Sequence, residues 1–210
     1  MSTILQPWYH GARAIFDDWA LRRRISAETS PFHVQAFVSL TATPACARMH
    51  TGERGRICTA RLRSRARLID LRGGSEVLRA GWDALRRSPL GRDHECARRF
   101  EDYVAQCRSG LVLRYLAPRD RLPGALQARL ALASAAQVDA AHRDRVMFDF
   151  KDFLQRWIET VILPYRDLGY DAVVCNEREG PVSICTQLFV FDPAMLTPPE
   201  WLDPDQPRID

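Results

Sequence analysis

Residues 169–193, GYDAVVCNEREGPVSICTQLFVFDP, decide the fold. Positions 170–175 and 184–191 are rich in β-branched and aromatic residues, and Asn176-Glu177-Arg178-Glu179-Gly180-Pro181 between them has turn chemistry, so the stretch predicts a β-hairpin with a charged loop. A period of two puts Gln187, Phe189 and Phe191 on one face of the second strand and Leu188, Val190 and Asp192 on the other. Gln187 is thus a lone polar residue beside aromatic bulk.

At 210 residues the chain suits one well-buried domain. Its 46% hydrophobic and 27% charged content is that of a globular protein, and no window approaches the roughly 20 apolar residues of a membrane span. The N-terminus, MSTILQPWYHGARA, lacks a basic region followed by an apolar core, so no cleavable signal peptide is expected. Cys46, Cys58, Cys96, Cys107, Cys175 and Cys185 form no CxxC pair and have no metal-ligand spacing with the histidines, so free thiols in a reducing compartment, and no bound metal, are expected. The net charge of +4 is modest, and Lys151 is the only lysine against many arginines.

From the start of the chain, residues 4–12 read as a short strand ending at His10-Gly11. This histidine either faces a cleft, with Gly11 allowing close approach of a ligand to the backbone, or is half-buried against a carbonyl. Residues 15–24 have the spacing of a short amphipathic helix. Residues 34–40 predict a strand, followed by a helix capped by Thr43 with Pro44 in its first position. Residues 56–71 read as one further strand in which Arg61, Arg63, Arg65 and Arg67 project from a single face, either to meet phosphate or as a solvated outer face. Residues 72–145 form a helical insertion by their alanine, leucine and arginine spacing. An amphipathic helix over 150–161 ends or kinks at Pro164, and a proline-rich tail over 198–210 extends across the surface.

Trp8-Tyr9-His10-Gly11, Phe37 ahead of Thr41-Ala42-Thr43-Pro44, and Gln187 ahead of Leu188-Phe189-Val190-Phe191-Asp192 together resemble the three signatures of the ADP-ribosyltransferase superfamily. The resemblance covers the two ends of the chain. Phe37 stands where the family usually has tyrosine and Gln187 where it usually has glutamate, giving H-F-Q in place of H-Y-E.

The resemblance implies an α+β fold with a split β-sheet core, in a single domain over residues 1–210 with a helical insertion that the resemblance does not explain. It implies NAD as co-substrate, held by His10, Gly11, Phe37 and Ser39; Arg61 and Arg63 of the arginine strand could meet its pyrophosphate, which the resemblance itself does not require. Gln187 can hold a ribose hydroxyl but supplies no negative charge, a deficit of roughly 3 kcal/mol or about a hundredfold in rate. Glu177 or Glu179 would then provide the missing carboxylate. The activity so implied is mono-ADP-ribosyl transfer to a macromolecule, a protein in preference to nucleic acid, by a bacterial effector, toxin or phage-derived factor. Such a factor acts in the cytoplasm or is delivered into a target cell. Two alternatives stay open: a catalytically silent module of that fold binding a nucleotide or partner protein, and a nucleic-acid-binding protein using the arginine strand.

Overall fold

The computed structural model describes residues 6–21, 23, 24, 33, 34, 36–49, 51, 55–73, 162–179 and 183–203, with isolated positions 83, 87, 124, 126, 128 and 159. The two apolar runs that open the sequence reading form the longest strands, β7 (Ala172–Glu179) and β8 (Ser183–Val190), paired antiparallel along their whole length from Ala172 opposite Val190 to Glu179 opposite Ser183. Alternation continues through Asn176, Glu177, Arg178 and Glu179, so this charged run is strand and not the loop its composition suggests. Backbone pairing to the apolar β8 outweighs the polarity of these side chains.

Seven strands make one mixed sheet. In chain order they are β1 (Trp8–Ala12), β4 (Val38–Thr41), β5 (Arg56–Ala60), β6 (Leu68–Asp70), β7, β8 and β9 (Glu200–Trp201), arranged in space as β6-β7-β8-β4-β1-β5-β9. Among the described strands, only β6 and β7 pair in parallel. A separate two-stranded ribbon joins β2 (Arg23–Arg24) to β3 (His33–Val34). With the short helix α1 (Pro44–Arg48) between β4 and β5, the architecture is α+β. Thr43 caps α1 as its sequence predicts, its side chain accepting from the Cys46 N–H, with Pro44 in the first turn.

One hydrophobic cluster lies on one face of the sheet, and the other face is also buried at Ile57, Val173 and Phe189. Trp8, Leu40, Ala60, Ala172, Val174, Leu188 and Val190 point into this core cluster, covered by Leu62, Ala66 and Leu196, with Trp19, Leu21 and Met195 packed at its border. Burying each large aliphatic chain here contributes about 1.5–3 kcal/mol.

The cover accounts for two departures from sequence expectation. The single strand expected over 56–71 is broken after Ala60: Leu62 bridges to Leu196, the Arg63 and Arg61 segment bonds to Met195 and Thr197, and Ala66 closes a turn on Arg63. Leu62 and Ala66 turn inward while Arg61, Arg63, Arg65 and Arg67 are exposed on a loop, so they form no common strand face. Residues 15–21 are not the predicted helix. The Trp19 indole N–H donates to the Thr197 carbonyl, the Phe16 carbonyl accepts from the Trp201 indole, and Arg23–Arg24 is strand. These long-range bonds override the local helical spacing.

The cysteine expectation also needs correction. Cys46 and Cys185 form a disulfide across 139 positions of sequence, a pairing no spacing motif announces. Cys58 and Cys175 are free and buried, as expected. Pro164 does not end the helix: residues 162–167 are helical around it, and the turn ends at Gly169, whose φ of 84° is the left-handed conformation glycine favours. The amphipathic segment expected over 150–161 and the insertion over 72–145 lie outside the described residues except for scattered positions, of which 83, 124, 126, 128 and 159 are helical. The first residues of the expected tail are not loose, since Glu200–Trp201 pairs with β5. Among the described residues, no helix is long and apolar enough to cross a membrane.

Candidate functional site

The three segments singled out in the sequence become neighbours in space. β1 carries His10 and Gly11, β4 carries Ser39 just beyond Phe37, and β8 carries Gln187, and these strands lie side by side in the order β8-β4-β1. Tyr9 pairs with Thr41, which pairs with Gln187, so one row crosses all three.

Pairing and alternation assign each residue a face. Gly11, Ser39, Thr41, Gln187, Phe189, Cys175, Cys185 and Glu177 share the face opposite the core; His10 shares the core face with Trp8 and Cys58. The sheet therefore brings His10 and Gln187 close while directing their side chains to opposite sides.

Ser39 connects them. Its backbone carbonyl accepts from His10 Nδ1 at 2.9 Å, and its hydroxyl donates to Gln187 Oε1 at 3.2 Å. Because a carbonyl only accepts, the bond fixes the proton on Nδ1 and makes Nε2 the acceptor of the neutral ring. The His10 ring is held edge-on by Phe16 and Trp19, with centroids 5.9 and 5.4 Å away, and Phe16 in turn meets Trp201.

Gln187 is 1% exposed, and Phe37, equally buried, packs against Phe189 with centroids 4.4 Å apart. Glu177, 3% exposed, lies opposite Cys185 and one diagonal step from Gln187, which itself faces Cys175. The two free thiols nearby stay protonated. Burial pushes Cys58 up to about 12, against the pull of a backbone hydrogen bond, and burial together with the charges of Glu177 and Asp70 holds Cys175 well above its ordinary value. Along the β7 backbone, Glu179 pairs with Ser183.

Gly11 is half-buried, and the side on which a Cβ would stand is occupied by protein. A side chain there would strike the carbonyl oxygen of Ala47 and lie 2.8 Å from Thr51 Cγ2, so the glycine admits α1 to the strand surface. The same helix carries Cys46, whose disulfide to Cys185 fastens it over the Gln187 face. In this state α1 covers one side of Gly11, and the Gln187 amide is buried.

Arg61 and Arg63 belong to the opposite layer. The Arg63 Nε–H donates to the Ala194 carbonyl and the Arg61 N–H to Thr197 Oγ1, so neither joins the Ser39–Gln187 pair. The sequence did not single out Cys46 and Cys185 as part of this site; only their fold-level proximity reveals them. Among the described residues, no group of His, Cys, Asp and Glu is arranged to hold a metal.

The fold and site thus define an α+β protein whose mixed sheet joins a histidine, a serine and a buried glutamine. No protein-family model matches the chain, and neither a curated protein nor a solved structure does.

Proposed function

We propose that the chain is an NAD-dependent mono-ADP-ribosyltransferase on an ADP-ribosyltransferase-like core. The observation that carries this reading is the adjacency of β1, β4 and β8, with Ser39 bonded to both His10 and Gln187. Signatures drawn from both ends of the chain meet on three neighbouring strands, with Ser39 bonded to the other two residues. In this reading the Gln187 amide holds a sugar of the dinucleotide on the face it shares with Gly11, whose backbone holds the carboxamide, and Glu177 from β7 contributes the carboxylate that Gln187 lacks; His10, whose ring lies on the other face, acts through its bond to the Ser39 carbonyl and does not touch that ligand. The side of Gly11 that α1 covers must open for this ligand. A macromolecule, protein in preference to nucleic acid, is the acceptor, and an effector or toxin role fits such an activity.

The burial of Gln187 and Phe37 favours a second reading, a module of the same fold that binds a nucleotide or partner without turnover. Calorimetric titration with NAD, before and after treatment with a dithiol, followed by assay of released nicotinamide with cell lysate as acceptor, separates the two. Binding with release supports the transferase; binding without release supports the silent module. Absence of binding in both redox states rejects NAD as the ligand.

A further inference from the structure

The Cys46–Cys185 disulfide is a covalent link across the Gln187 face, and it is one that can be removed. Helix α1 is only five residues long, a length at which a helix depends on its docking for stability. Its attachment to the sheet includes the Ala47 carbonyl seated on Gly11, the buried Ala47 side chain, packing against β4 and β5, and the Cys46–Cys185 disulfide; the Thr51 side chain just beyond the helix lies beside Gly11. Cys185 sits opposite Glu177 and two positions from Gln187 on their face, so the bond lands among the residues of the proposed site.

The two sulfurs are unequally reachable: Cys46 is partly exposed on α1, whereas Cys185 is 1% exposed in β8.

We propose that Cys46–Cys185 is a reducible latch, which holds α1 over Gly11 and Gln187 when oxidised and releases it when reduced, so that redox state controls ligand entry to this face. The inference rests on the reading of that face as the NAD site. In the releasing step, one thiolate of a dithiol attacks Cys46 Sγ, the Cys46–Cys185 bond breaks, and Cys185 leaves with the electron pair and takes a proton from solvent. The second thiol of the reagent then displaces Cys46 from the mixed disulfide, leaving two protein thiols and one cyclic reagent disulfide. Cys58 and Cys175, buried and protonated, do not compete for this exchange.

The test uses the full chain, oxidised, reduced with dithiothreitol, and as Cys46→Ser/Cys185→Ser, with the circular dichroism spectrum of each recorded to establish that it is folded. Hydrogen exchange reports on α1 and calorimetry on NAD. The expected result is exchange of the Ala47–Met49 amides at least tenfold faster in the reduced protein and the variant, NAD binding at least tenfold tighter in both, and reversal of the first two changes on reoxidation of the reduced wild type. Unchanged exchange at α1 on reduction overturns the latch, whatever NAD does. Faster exchange at α1 without NAD binding in any form supports the release of the helix and overturns the NAD reading instead. A merely structural disulfide would predict global loss of protection in the reduced protein, with no gain in ligand affinity, and that outcome also overturns the proposal.

Discussion

The carbonyl oxygen of Ala47 occupies the space that a side chain on Gly11 would need, so α1 and β1 meet backbone to backbone. Gly11→Ala is expected to push α1 off the strand and destabilise the protein by about 1–3 kcal/mol. The shift in urea midpoint at constant m-value measures it. An unchanged midpoint would mean that α1 is not seated where the structure has it.

Removing the hydroxyl of Ser39 leaves Gln187 Oε1 buried without that donor. Ser39→Ala should cost about 1–3 kcal/mol, and the double variant Ser39→Ala/Gln187→Leu should cost less than the sum of the singles, because no amide then needs the bond. Denaturation of the four proteins in a double-mutant cycle gives the coupling directly.

Phe37 is expected to behave as a core residue in the state described. Phe37→Ala opens a cavity beside Phe189 and should lower stability by about 3–5 kcal/mol. A loss well under 1 kcal/mol would indicate a ring at the surface, available to a ligand.

Cys58 links stability to alkaline pH. Its folded value of about 12 lies above its ordinary 9.0, so the fold retains a proton that the unfolded chain gives up between these limits. Its contribution is complete below pH 9 and is lost as pH rises toward 12. Cys58→Ala should therefore flatten part of the fall in urea midpoint over that window. Equal slopes for the variant and the wild type would remove Cys58 from the account.

Glu177→Gln keeps shape and hydrogen-bonding capacity but removes charge next to Gln187. If Glu177 supplies the carboxylate of the proposed transferase, nicotinamide release by the reduced protein falls roughly a hundredfold while NAD affinity changes little. Release at the wild-type rate would exclude that role.

What the sequence made legible was local and strongly patterned. The apolar alternation of β7 and β8 and the Thr43-Pro44 start of α1 were readable because a few neighbouring residues determine them. Composition misled where distant partners decide: the polar run 176–179 stays in the sheet because β8 pairs with it, and the arginines of 61–67 leave it because Leu62 and Ala66 cap the core. Residues 15–21 have helical spacing, yet Trp19 and Phe16 are claimed by bonds to Thr197 and Trp201. The candidate site followed the same division. His10 and Gln187 could be picked out by motif, but not their opposite orientations, the part Ser39 plays between them, or the cystine above Gln187.

The parallel pairing of β6 with β7 sets Leu68 beside Ala172 and Asp70 beside Val174, so the chain leaving β6 must travel back along the sheet before β7 can begin. This edge therefore joins residues far apart in the sequence, whereas β7 and β8 need only a short turn between them. Because the entropy of closing a long loop must be met before its contacts form, the sheet is expected to assemble from the β7–β8 hairpin outward, with β6 docking late.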